Sequence, residues 1–412
     1  MIHFNRRQLD NGLKVLVHED ASTPLAAINV LYDVGSRDES PDQTGFAHLF
    51  EHLMFGGSMN VAIFDEPLQK AGGENNAFTS TDITNYYETL PAPNLETAFW
   101  LESDRMHGLA FSEDSLEIQR KVVCEEYKEH YINQPYGDVW HKLRELAYQT
   151  HPYQWPTIGK NLEHIEDARL SDVKNFFYKY YCPDNAILVV AGNVKTDEIY
   201  ALAEKWFGDI PSRNPPKRML PQEPRQNGFR SLSVEADVPL DAIYKTWHMP
   251  ARMEDGYFAA DLATDILSGG KSSRLYQSLV KEKKLFSEIH AYQTGSIDPG
   301  LIVVEGKLVK GVKMEVAEAA IDLEISKITE SQIEERELTK VKNRVESHIE
   351  FAETELLHRT MNLAYYELLG DASLVNEEVN NYLRVSPEEL LLKSREIFVK
   401  ENCSTLYYHS KN

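Results

Sequence analysis

Apolar residues recur along this chain with two periods, and each switch from one to the other marks a new element. Alternation predicts a hairpin of Arg7–Leu9 and Lys14–His18 around Asp10-Asn11-Gly12, because Asn-Gly favours a tight turn. Ala26–Val34 alternates as the next strand. Helical spacing follows around residues 48–52, with Asp42 or Thr44 able to cap the helix and Gly56-Gly57 able to end it. A short helix near Ile63–Ala71 precedes strands at Asn76–Ser80 and Asn85–Leu90. Long helical patterns then run through Leu95–His107 and Ser112–Thr150. A helix around Ser171–Tyr180 leads into Ala186–Ala191, an apolar run of buried-strand type.

Residues 211–228 break the pattern. They hold five of the 18 prolines and few residues able to pack a core, so they read as an extended linker. Beyond them the outline repeats. Strands at Ser231–Val234 and Ala242–His248 precede a helix at Tyr257–Leu267, strands at Glu288–Thr294 and Leu301–Leu308, and helices at Lys313–Ile328 and Gln332–Phe351. Each half closes alike, Ser171 to Val194 and Pro387 to Ser410 both running helix, turn, strand. The order predicts an α+β fold: two similar tandem domains related by internal duplication, each a mainly antiparallel sheet with helices packed on one face. The expected limits are 1–210 and 229–412 around the linker at 211–228.

Charge narrows the range of partners. A net charge of −22 repels nucleic acid and anionic membrane, and suits peptides of basic or mixed charge. No apolar window reaches membrane-spanning length. Three scattered cysteines, Cys124, Cys182 and Cys403, point to a reducing compartment, so any metal must be held by histidine and carboxylate. The first residues enter a strand without an apolar signal core, which makes the expected location cytoplasmic.

The densest chemistry lies at His48-Leu49-Phe50-Glu51-His52. On a helix, positions i, i+3 and i+4 share one face. Two imidazoles so placed can hold one zinc ion, while the glutamate between them can act as base toward a water there. The order H-x-x-E-H is that of the inverted zinc peptidases. A third ligand is needed, and the acidic helix Glu117–Tyr127 is the best supplier. The second half has no such motif, so the chemistry is expected in the first.

At that helix the chain resembles the pitrilysin family, which includes insulin-degrading enzyme and the mitochondrial processing peptidases. The run Arg120-Lys121-Val122-Val123-Cys124-Glu125-Glu126 is similar to the one that completes the family's zinc site. The resemblance implies Glu126 as third ligand, Glu51 as catalytic base and one zinc per chain, although manganese or cobalt also suits such ligands. Gly73–Ser80 and Thr84–Tyr87 resemble the family's substrate-binding edge strand and its return strand. Asn76, Ala77, Phe78 and Thr79 would then bind an extended peptide or unfolded segment as an added strand. His130 and Glu129 share a helix face with Glu126 and read as supporting or surface groups, and His151 as structural.

Two departures stand out. Gln119 takes the place of a glutamate many relatives carry seven residues before the third ligand. In addition, the family's second half holds substrate with an Arg and a Tyr on a segment like Arg-Glu-Lys-Arg-Gly-Leu-Ala-Tyr. Here the match is Lys281–Ser287, with Lys281 and Ser287 in the clamp positions, or Glu288 for the tyrosine if no gap is allowed; Arg274 and Tyr276 lie at the wrong spacing. The resemblance therefore implies a zinc endopeptidase that works with a homologous clamp-bearing subunit, with a homodimer as rival. A structural or peptide-binding subunit without turnover is the alternative function.

Overall fold

The computed structural model describes residues 1–411. A hairpin of β1 (Asn5–Gln8) and β2 (Lys14–Glu19) leads to β3 (Leu25–Tyr32), α1 (Phe46–Leu53) and α2 (Asp65–Lys70). Next come β4 (Glu74–Thr79), β5 (Thr84–Pro91), α3 (Leu95–His107) and α4 (Glu113–Tyr127). The first half closes with α5 (Val139–Ala147), α6 (Glu163–Glu166), α7 (Leu170–Tyr180), β6 (Ala186–Gly192) and α8 (Thr196–Phe207). Residues 211–228 hold no helix or strand. The second half runs β7 (Arg230–Ala236), β8 (Ala242–His248), α9 (Tyr257–Ser268), β9 (Phe286–Gln293) and β10 (Leu301–Leu308). It ends with α10 (Met314–Glu330), α11 (Glu335–Ala352), α12 (Leu356–Leu368), α13 (Glu378–Arg384), α14 (Pro387–Ile397) and β11 (Cys403–Ser410).

The fold is α+β, built from two domains of like topology. The first sheet has the order β1-β2-β6-β3-β5-β4 and the second β7-β11-β8-β10-β9. Omitting β1, the two follow the same course. Each has one parallel pair, β2 with β6 and β7 with β11, and every other pairing is antiparallel. Nearly all of β3 and β6 is buried, so the centre of the first sheet is covered on both faces.

Two compact units emerge, and neither is one stretch of chain. Unit 1 comprises Met1–His130, Trp155–Leu220 and Glu350–Glu377; unit 2 comprises Tyr131–Gln154, Pro221–Ile349 and Glu378–Asn412. A cut at 211–228 alone thus does not describe them. In unit 1, α12 packs on β3 and β6; in unit 2, α5 packs on β7, β8 and β11. The long helix expected over Ser112–Thr150 is also corrected. It stops at Tyr127, passes through a wide turn at Lys128–Ile132 and resumes at Val139. Gln134-Pro135-Tyr136-Gly137 interrupts it, with Tyr136 at φ 63, a left-handed conformation no helix accommodates. Among the described residues, no helix is long and apolar enough to cross a membrane.

Beneath the metal-motif helix, unit 1 buries a charge. Arg105 of α3 is fully buried, hydrogen-bonded to Glu102 and 3.5 Å from Glu88. Its guanidinium stacks over Phe64 at 4.4 Å and Tyr86 at 4.3 Å. The Tyr86 hydroxyl in turn donates to the Phe50 carbonyl of α1 at 3.4 Å.

Candidate active site

Helix α1 carries His48, Glu51 and His52, and its start is fixed from outside. The capping position is Gly45, at φ 87, where an added Cβ would lie 2.6 Å from the Ile158 carbonyl oxygen. Asp42 or Thr44 was the expected cap. Instead Glu39 accepts from the Gly45 N–H at 2.9 Å and the Ala47 N–H at 2.8 Å, satisfying donors at the helix start. Burial pushes the Glu39 carboxyl up to about 8, against the pull of those two bonds. Thr44 ties down another segment: its hydroxyl meets His164 Nδ1 at 2.8 Å and accepts from the Lys160 N–H at 2.7 Å. No spacing rule pointed to Glu39, because the bond forms across a loop.

Helix α4 packs against α1 and brings in the acid. Its buried Leu116, Val123 and Tyr127 face the core, and the Tyr127 hydroxyl donates to the Lys160 carbonyl at 3.3 Å. Glu126 then stands 3.7 Å from His48 Nε2 and 3.4 Å from His52 Nε2. All three donor atoms lie within 4.8 Å of one another, and no other metal-competent group occurs among the described residues. A tetrahedral ion with bonds of about 2.0–2.2 Å holds its donors roughly 3.3–3.6 Å apart, close to the two Glu126 separations. Glu125 points elsewhere, exposed and paired with Lys128 at 2.8 Å.

Electrostatics favours the metal-binding protonation states. Burial lowers the His48 pKa to about 4, leaving the imidazole neutral at neutral pH. Its buried Nδ1 has no hydrogen-bond partner. The hydrogen bond with His52 holds Glu126 below the usual carboxylate range. Glu51 behaves differently: burial pushes it up, while the Thr79 hydroxyl, donating at 2.7 Å, pulls it back.

Strand β4, holding Asn76, Ala77, Phe78 and Thr79, forms one edge of the first sheet and pairs only with β5. The Ala77 N–H donates to Asn76 Oδ1 at 2.8 Å. His130 sits in the wide turn after α4, close enough to favour the charged form of Glu126. His151 belongs to unit 2, where its Nδ1 accepts from the Tyr153 N–H at 3.2 Å and its Nε2 lies 3.5 Å from Asp298.

Unit 2 holds the segment resembling the clamp. The Lys281 ammonium donates to Gln277 Oε1 at 3.3 Å and the Ser287 hydroxyl to the Lys307 carbonyl at 3.1 Å. Arg274 makes a two-pronged pair with Glu337 at 3.0 and 2.6 Å, and Glu288 pairs with Lys307 at 2.8 Å. Lys284 has φ 53, a conformation glycine adopts most cheaply.

Residues 14–161 match the profile described as "Insulinase (Peptidase family M16)" and residues 167–345 that of "Peptidase M16 inactive domain". The "Zinc protease PqqE" of Helicobacter pylori is 33% identical over 342 residues, covering 81% of this chain and 76% of that protein. The chain belongs to peptidase family M16. The crystal structure of a protease from Helicobacter pylori superposes with a TM-score of 0.93 at 28% identity, over 99% of this chain and 100% of that one. The periplasmic protease PqqL of Escherichia coli shares the fold, with a TM-score of 0.80 at 18% identity. That match takes in 98% of this chain but 47% of PqqL. The M16 membership accords with the unequal halves: motif in the first, none in the second.

Proposed function

We propose that this chain is a zinc-dependent endopeptidase acting on peptides or unfolded segments. One observation carries the proposal: His48, His52 and Glu126 converge beside Glu51 and next to an edge strand. Held by those three side chains, zinc would supply Lewis acidity, acidifying a water and polarising the scissile carbonyl. Glu51 takes the proton of the attacking water and returns it to the leaving amine. Its burial makes it a stronger base than a solvated glutamate. Asn76–Thr79 of β4 align the substrate by backbone pairing, which selects extended chains over folded ones.

Metal analysis tests this assignment. The chain should carry about one zinc. His48→Ala, His52→Ala and Glu126→Gln should each strip or weaken it, with peptide cleavage falling in step. Full zinc content and activity in all three would refute the ligand set.

The finer part of the proposal concerns the partner. Lys281 and Ser287 make local bonds only, and Arg274 is engaged by Glu337. Lysine does not reproduce arginine's planar fork, nor does serine have a tyrosine's reach. Losing one oxyanion donor typically costs about 2.7–4 kcal/mol of transition-state stabilisation. A homologous, non-identical subunit would restore both donors, and the match to about half of PqqL fits a chain that forms half of an assembly. A reducing compartment, the cytoplasm, suits three buried and unpaired thiols.

A further inference from the structure

Thr79 ends β4, and its hydroxyl donates to Glu51 Oε2 at 2.7 Å. Its backbone N–H faces the same carboxylate. Among the described residues Thr79 is the sole hydrogen-bond partner of the Glu51 side chain. The strand itself is firmly placed there. Thr79 pairs with Thr84 across the hairpin, and the Ser80 N–H donates to the Ile83 carbonyl at 2.8 Å in the turn. One residue thus belongs to the edge strand and holds the base through both its hydroxyl and its N–H.

We propose that Thr79 is a positioning residue, fixing the rotamer of Glu51 so that the base is aimed from the strand the substrate occupies. The inference rests on the peptidase reading above. Glutamate has three side-chain torsions, and a base must come within about 2.6–3.2 Å of the group it deprotonates. A displacement of about 1 Å can cost on the order of 100-fold in rate. Without the hydroxyl, only the Thr79 backbone N–H remains to hold the Glu51 carboxylate. With the hydroxyl, the base keeps register with β4, where the peptide's backbone would be read.

The test compares wild type, Thr79→Val and Thr79→Ser in the zinc-loaded chain, on one extended peptide. Valine keeps the branched shape and the strand preference, so the pairing edge survives. Thr79→Val should lower kcat by about 10- to 100-fold, the weight of a hydrogen bond to a charged group. KM and zinc content should stay near wild type, and Thr79→Ser should restore most of kcat. A wild-type kcat in Thr79→Val overturns the inference. So does a rise in KM alone, which would make Thr79 an ordinary strand residue. Loss of zinc in Thr79→Val, or a serine variant as slow as the valine one, also counts against it. Failure of the underlying reading looks different: wild type itself would cleave nothing, and both would fall together.

Discussion

Glu51→Gln is expected to leave the zinc content unchanged and to lower peptide cleavage by about 10²- to 10⁴-fold, the usual weight of a general acid–base group. Glutamine has the same length and can still accept the Thr79 hydroxyl now bonded to Glu51 Oε2. Helix α1 keeps its cap on Glu39 and its contact with α4, so His48, His52 and Glu126 stay in place. What disappears is the capacity to take a proton. Metal analysis and initial rates on one preparation separate this from a ligand variant, which loses both. Full activity in Glu51→Gln would remove Glu51 from the mechanism.

The largest expected effect on stability lies elsewhere in unit 1. Arg105→Met should destabilise the fold by about 3–5 kcal/mol, because breaking a buried pair strands its partner charge. Arg105 is fully buried with Glu102 and Glu88, both at 0% exposure. Burial, reinforced by Glu102, holds Glu88 well above the usual carboxylate range. Arg105 therefore balances the charge of Glu102, and methionine fills its volume without doing so. Arg105→Met combined with Glu102→Gln should recover part of the loss, since the stranded charge goes too. The shift in thermal unfolding midpoint reads both effects. A midpoint near wild type in the single variant would contradict this account. The consequence reaches the site through Tyr86, which lies under Arg105 and bonds to α1.

Much of this architecture was legible in the sequence because it is written locally. The H-x-x-E-H spacing, the Asn-Gly hairpin and the strand at Ala186–Ala191 each depend on neighbours within a few residues. What escaped depends on residues far apart. Glu102-Ser103-Asp104-Arg105 are four consecutive polar residues, yet all are buried, because Phe64, Tyr86 and Glu88 close over the arginine and Ser58 and Asn60 bind Asp104. Glu39 caps α1 across a loop, and so went unread as part of the site. The placing of α5 with unit 2 and α12 with unit 1 is likewise invisible to periodicity, which finds helices but not the sheet they cover. Glu126 is intermediate. Spacing put it on an acidic helix, family resemblance selected it, and the structure sets it 3.4 Å from His52.

Peptide cleavage by the purified chain, before chelation, after it, and after return of one equivalent of zinc, tests the central claim most directly. The assay should be run alone and with an M16 homologue bearing the Arg/Tyr clamp. The account predicts slow hydrolysis by the chain alone, a marked gain with the homologue, loss on chelation and recovery with zinc. Cleavage indifferent to chelation, or none under any of these conditions, would contradict it.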